Sequence, residues 1–551
     1  MNSTQKRWTL IAVILGSAIV FLDSTVVNLA LPKIGQELKS NFIGVLEGQS
    51  YIYNAYLLTL SAFLILAGAL NDYVGRRRMF IVGLAGFGVT SVLCGAAPNL
   101  ELLILFRILQ GAAGAILVPG SLSIITASFE GEEQGRAFGI WAGASAATTI
   151  LGPPVGGFLV NTISWRMAFF INVPLVALAY VATLRHVPES RDEEATGRFD
   201  WTGAVVVALA VGGLSFGAIR GQQQQWHDAI AFVALAIGFA AAVAFPFLMR
   251  RSPHPLVPLD LFRSKNFSVT NVSTLLIYGA LYVNLYFTGI FLIGTLGYNE
   301  QATGIATIPA TLLLALFSTR FGRLAARYGP RLFMSLGPAI MALGILWLAR
   351  LPATSELWRF GSHGGEQFLP PLDYWIDFFP AFFVFGVGLA VMVAPLTTAL
   401  MTSVPQHNSG VASAINNAIS RVGPQLAGAL IFVAIAGSFY GTLHARAPQL
   451  DTSSQDVRNR ISPLNKPTDR VSPQILTAVR ESSTSAFHLA MVIASGLLLV
   501  GAAVNAVGIR NRAAAQPTPG SGDGERAGDQ TIDGPPPAPV AVEPPKPEPA
   551  T

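Results

Sequence analysis

Long apolar runs alternate with short polar loops along almost the whole chain. A helix that crosses a bilayer needs about 20 largely apolar residues. Fourteen stretches approach or exceed that length: 8–30, 49–70, 79–97, 100–122, 136–160, 166–184, 201–219, 229–249, 267–293, 302–320, 331–349, 378–400, 408–438 and 484–508. The pattern predicts an all-α polytopic membrane protein. Two segments break it. Residues 439–483 are polar and carry Ser, Thr and Pro, which predicts little regular structure. From Ala514 the chain is Pro, Gly, Asp and Glu with almost no large apolar residue, which predicts a disordered tail.

The stretch Ile65 to Phe80, ILAGALNDYVGRRRMF, joins two of these spans through a very short basic loop. Asp72 is placed to cap the next helix or to pair with an arginine. The spacing recurs from Gly322: Gly68 matches Gly322, Leu70 matches Leu324, Gly75 matches Gly329 and Arg77 matches Arg331. A second echo pairs Gly152-Pro153-Pro154-Val155-Gly156-Gly157 with Gly423-Pro424-Gln425-Leu426-Ala427-Gly428. Both point to an internal duplication, an architecture of secondary transporters. The implied division is a six-helix half at 1–184, two inserted helices and their linkers at 185–266, a second six-helix half at 267–508 and a cytoplasmic tail at 509–551.

Charge then orients the chain. Most Lys and Arg of the short loops fall between even and odd spans. Positive charge is retained on the cytoplasmic side, so both termini are expected there and loop 439–483 outside. Composition agrees: 551 residues, 52% hydrophobic, 12% charged, mean hydropathy +0.52, against about 25% charged in a soluble domain. The net charge of +5 does not argue for nucleic acid, because the basic residues sit in loops between spans. The lone Cys94, inside an apolar run, excludes a disulfide framework and reads as a small buried hydrophobe. There is no G-x-x-x-x-G-K-[ST] sequence for ATP, no metal-ligand cluster and no catalytic triad, so no enzyme and no bound cofactor is expected.

Several segments in order resemble the major facilitator superfamily, and more closely its fourteen-helix drug:proton antiporter branch of the EmrB/QacA type. They are LDSTVVNLALP at Leu22 to Pro32, the hairpin Gly68 to Arg77, RILQGAAG at Arg107 to Gly114, the Gly152 to Gly157 motif, Ser164-Trp165-Arg166 with Ile171-Asn172-Val173-Pro174, and PLVPLDLF at Pro255 to Phe262. The resemblance implies two six-helix halves rocking around a central cavity, export driven by the proton gradient, and a bacterial cytoplasmic membrane. The implied partners are a small-molecule substrate, protons and the bilayer. A monomer is expected, alone or with accessory efflux components. Rival readings are a dedicated exporter of one metabolite, antibiotic, lipid or siderophore, and a non-transporting membrane sensor.

Within that frame residues take expected roles. Asp23 is the only carboxylate deep in the first span, and Arg107 is the comparable charge in the fourth. Charge inside a bilayer is costly unless paired or facing water, so both are functional candidates for proton coupling. Gly68, Asp72, Gly75, Arg76 and Arg77 are expected to form a cytoplasmic gate, with a weaker latch in the second copy, where Ala326 replaces the acid. Gly152, Pro153, Pro154, Gly156 and Gly157 kink and pack the fifth span, the antiporter motif of the branch. The cavity candidates are Asn28, Asn54, Gln110, Tyr278, Tyr282, Asn284, Tyr286, Asn416 and Asn417. The three tyrosines, at i, i+4 and i+8, share one helix face. No acid falls centrally in spans nine or thirteen, which points toward neutral, amphipathic or monocationic substrates. His488 reads as a packed polar residue.

Overall fold

The structure is a computed structural model, and it describes residues 1–38, 45–191, 199–223, 226, 228–361, 368–467 and 471–511. The expected disordered tail beyond Asn511 lies outside the described residues, as do the side chains of Asn28, Pro153, Pro154 and Gly157. Among the described residues there is no strand.

Fourteen long helices carry the fold. They are α1 (Ser3–Glu37), α2 (Val45–Val74), α3 (Arg76–Gly95), α4 (Leu100–Ser128), α5 (Gly131–Thr162), α6 (Met167–His186, with a break at Ile171), α7 (Trp201–Gln223), α8 (Ala229–Arg251), α9 (Lys265–Ile290), α10 (Ile308–Tyr328), α11 (Arg331–Leu348), α12 (Phe379–Thr402), α13 (Ser409–Arg446) and α14 (Pro473–Gly508). Thirteen of them are long and apolar enough among the described residues to cross a membrane; the other is the 32-residue α5, packed between α1 and α10. In a bilayer every backbone polar group must be satisfied within the protein, and helices do this along their length. At their ends, polar side chains take over. Asn2 Oδ1 accepts from the Gln5 N–H at 2.8 Å, Asn99 Oδ1 from Leu102 at 2.9 Å and Asp228 Oδ1 from Ile230 at 2.9 Å. The bond from Ile230 holds the Asp228 carboxyl below its ordinary range.

Two expectations about length are corrected. The first helix does not end near residue 30 but runs to Glu37, whose Oε2 accepts from Trp165 Nε1 at 2.8 Å. Segment 439–483 is more ordered than its composition predicts. Its first residues continue α13 to Arg446, because Phe439 and Leu443 are fully buried. Its last residues start α14 at Pro473, with Ala478 and Val479 buried. A short helix, Gln455–Arg460, lies between, and the Leu464 carbonyl accepts from Thr295 Oγ1 at 3.0 Å. Buried apolar teeth within a polar stretch outweigh its average composition.

The packing is reciprocal. α2 lies against α13, and α5 against α10; α1 packs on α4, α5 and α6, while α9, α11 and α12 contact α13 or α14. α7 lies on α2 and α13, and α8 packs on α7, contributing only Ala231, Gly238 and Met249 as buried residues. One end of the bundle gathers both described termini and both basic hairpins. There Lys6 pairs with Glu133 at 2.5 Å, and Asn511 Oδ1 accepts from the Arg331 N–H at 3.2 Å.

Candidate functional site

The deepest polar cluster is built by α1, α3, α4 and α6. Asp23 is completely buried, and its Oδ2 lies 2.5 Å from Arg107 Nη1. Its Oδ1 accepts from Gln110 Nε2 at 3.1 Å and from Asn172 Nδ2 at 3.0 Å. Gln110 reaches Ser91 Oγ at 2.9 Å, and Arg107 Nη1 also donates to Gln110 Oε1 at 2.7 Å. Arg107 Nε donates to the Ile52 carbonyl at 3.2 Å, and its guanidinium stacks over the Tyr56 ring at 4.0 Å. Such saturation is what a buried charge requires. It is not quite complete, because Arg107 Nη2 and Asn172 Oδ1 have no partner.

The two sequence candidates Asp23 and Arg107 thus meet directly. Gln110 is not at a cavity wall; it belongs to this cluster, one helical turn from Arg107. Ser91, Asn172 and Tyr56 were not singled out as members. Cys94 is buried as expected, with its thiol 3.5 Å from Gln110 Oε1.

The second cluster lies at the basic end, between α2 and α13. Asp72 and Arg76 are both buried, and Arg76 donates to Asp72 Oδ1 through Nε at 3.2 Å and Nη2 at 3.1 Å. The other carboxylate oxygen accepts the backbone N–H of Val411, in the first turn of α13, at 3.0 Å. A helix N-terminus favours negative charge, so this contact is doubly favourable. Arg76 Nη2 also donates to the Gln406 carbonyl at 2.6 Å. Gly75 makes the reversal possible: its φ of +122° is denied to other residues. Gly68 supplies the approach, since a Cβ there would lie 2.5 Å from the Gly410 carbonyl oxygen. Arg77 turns away, donating to the Leu184 carbonyl at 2.7 Å.

The glycine motif of α5 packs on α1. A Cβ at Gly152 would overlap Thr25, and one at Gly156 would lie 2.9 Å from Val26 Cγ1. This holds α5 against the helix that carries Asp23.

The remaining cavity candidates divide. Tyr282 and Tyr286 stack at 5.4 Å on the face they share with Tyr278. Asn416 is pinned to α9, donating to Asn271 Oδ1 at 3.1 Å and Thr274 Oγ1 at 2.9 Å. Asn284 is buried and accepts from Thr288, and Asn417 donates to the Ser413 carbonyl of its own helix at 2.9 Å. Asn54 is half-buried on α2. His488 Nε2 lies 2.9 Å from the Leu351 carbonyl, a packed polar contact. One residue was missed: Arg421, partly accessible on α13, within electrostatic reach of Tyr53, Tyr56 and Tyr278.

Fourteen long helices, with one buried ion pair in the interior and another at one end, make the architecture of a polytopic membrane protein. Residues 13–428 match the Major Facilitator Superfamily, and the chain belongs to it. It is 32% identical over 457 residues to the multidrug resistance protein Stp of Mycobacterium tuberculosis, covering 83% of this chain and 80% of that one. It is 30% identical to the tetracenomycin C resistance and export protein of Streptomyces glaucescens, covering 91% of each. Among solved structures, the proton:xylose symporter XylE superposes with a TM-score of 0.54 at 16% identity, over 91% of this chain and 95% of that one. The human organic anion transporter MFSD10 gives 0.58 at 12% identity, over 92% and 100%. Similarity at that level speaks to the fold.

Proposed function

We propose that this chain exports amphipathic small molecules across a bacterial cytoplasmic membrane in exchange for protons, by alternating access. The efflux class is supported by relatives named for multidrug resistance and for antibiotic resistance and export. The coupling rests on one observation: Asp23 is a fully buried carboxylate held at 2.5 Å by Arg107, with Gln110 and Asn172 on its other oxygen. Isolated charge at membrane depth costs about 2.5–3.5 kcal/mol or more, so the pair is stable only while complete. A proton arriving on Asp23 cancels the negative charge, releases Arg107 and loosens α1 from α4. Those helices then move as the carrier turns over. Deprotonation on the opposite side restores the pair. The Asp72–Arg76 latch closes the basic end, the cytoplasmic one in this reading, during half of the cycle, and the loop charges support that sidedness. The carrier works as a monomer, needs no bound cofactor and draws its energy from the proton gradient.

The test is drug-driven proton release from acidified inverted vesicles, with wild type and Asp23→Asn at matched expression. Wild type is expected to discharge the gradient on several amphiphiles, and the variant at least tenfold more slowly, about 1.4 kcal/mol of lost coupling. Equal rates would move the coupling site away from Asp23.

A further inference from the structure

The interior holds two arginines in contrasting circumstances. Arg107 has the carboxylate of Asp23 at 2.5 Å. Arg421 is the only Lys, Arg, Asp or Glu between Ser409 and Arg446, and it sits in the same stretch of α13 as Pro424. No hydrogen bond or ion pair to it is found among the described residues; the ionisable groups around it are Tyr53 and Tyr56 on α2 and Tyr278 on α9. Its side chain is partly accessible, although α13 is packed on α2, α4, α7, α9 and α14. A guanidinium that is enclosed by helices yet keeps part of its surface accessible borders an internal space. That space lies where α2, α9 and α13 converge. The Asp23 charge is already consumed by Arg107, so the space carries one uncompensated positive charge.

A guanidinium offers five N–H donors in a planar fork matched to a two-oxygen anion. Beside it, Tyr278 begins the aromatic face that continues to the stacked rings of Tyr282 and Tyr286. Resting on the efflux reading above, we propose that Arg421 binds the carboxylate of the exported compound, and that the tyrosine face of α9 takes its aromatic body. The substrate class is therefore an anionic aromatic amphiphile. This replaces the neutral or monocationic substrate expected from the lack of acids in spans nine and thirteen: the informative charge in span thirteen is a base.

The experiment is saturable binding to the full-length protein in lipid nanodiscs, without a proton gradient. The probes are naphthoate, its methyl ester and naphthylmethyl-trimethylammonium, which differ chiefly in charge. The carboxylate is expected to bind at least tenfold more tightly than either of the others. Arg421→Gln should abolish that preference, and Arg421→Lys should keep part of it. Equal affinity for the three, no saturable binding of naphthoate, or an undiminished preference in Arg421→Gln overturns the assignment. The wild-type comparison decides even if a variant folds poorly. Failure here leaves proton-coupled export of other compounds intact, whereas equal vesicle rates with Asp23→Asn take the coupling role from Asp23 and leave this site standing.

Discussion

The two basic hairpins share their spacing but not their chemistry. In both, a glycine of the first helix meets a glycine of a distant helix: Gly68 against Gly410, and Gly322 against Gly135, each with room for no Cβ. In both, the second helix of the hairpin begins after a glycine with positive φ, Gly75 or Gly329. In both, the matched arginine donates to the end of another helix, Arg77 to the Leu184 carbonyl and Arg331 to that of Ala506. Only the first copy has the latch. Asp72 and Arg76 correspond to Ala326 and Pro330, so the second copy lacks both partners, not the acid alone. Among the described residues its interface carries a neutral bond, Ser318 Oγ to the Gly139 carbonyl at 2.8 Å. The lesson is that close backbone approach is the shared requirement, while charge was placed at one interface only. That interface is also the one α7 lies against.

The largest effect is expected where the comparison is broken outright. Asp72→Ala leaves Arg76 buried without its carboxylate and the Val411 N–H without an acceptor. Breaking a buried pair from one side costs about 3–5 kcal/mol. The closed basic end should lose that much, read as a tenfold or greater rise in labelling of a cysteine placed at Val404, with export falling in parallel. Unchanged labelling would mean the latch does not hold that end shut. A graft sharpens the comparison with a smaller effect. Ala326→Asp alone sets an unpaired acid at a half-buried position against Gly135 and should lower the melting temperature, whereas Ala326→Asp with Pro330→Arg should recover most of the loss. Equal melting of the two variants would show that the second interface cannot host a pair. The smallest effect concerns the caps. Glu189 accepts from the N–H groups of Arg77 at 3.1 Å and Arg78 at 3.2 Å, where Asn511 serves Arg331. Glu189→Ala and Asn511→Ala should each cost about 1 kcal/mol, seen as matched small shifts in melting. A large difference between them would break the parallel.

The fold was largely legible because its signals are local. Span length, loop charge and the repeated glycines are read within short windows. The Asp23–Arg107 pair was legible for another reason: each is a conspicuous charge in an apolar helix, and such charges seek each other. What was not legible depends on chain reversals. The receiver of the latch is a backbone N–H, 339 positions from Asp72, and every residue but proline has one. Asn172 and Ser91 look like ordinary small polar residues until α6 and α3 bring them to the carboxylate. Arg421 differs, since its signal was present: a single base in a long apolar run. The extension of α13 and α14 into 439–483 was hidden because Phe439, Leu443, Ala478 and Val479 are spread thinly among polar residues.

The latch has a hereditary side. One half is two side chains, the Asp72 carboxylate that accepts and the Arg76 guanidinium that donates, and any substitution at either alters it. Its other half, the Val411 N–H that donates to Asp72 Oδ2, survives every replacement of that residue except proline. No valine codon becomes a proline codon by a single base change. At Asp72 or Arg76 a lineage can therefore lose this latch in one step, but at Val411 only by a rarer route; on α13 the one-step loss is at Gly410, which has no room for a Cβ. Drift at the basic end should spare Asp72, Arg76 and Gly410 and reach Val411 first, within the limits of its buried apolar site, while the bond persists.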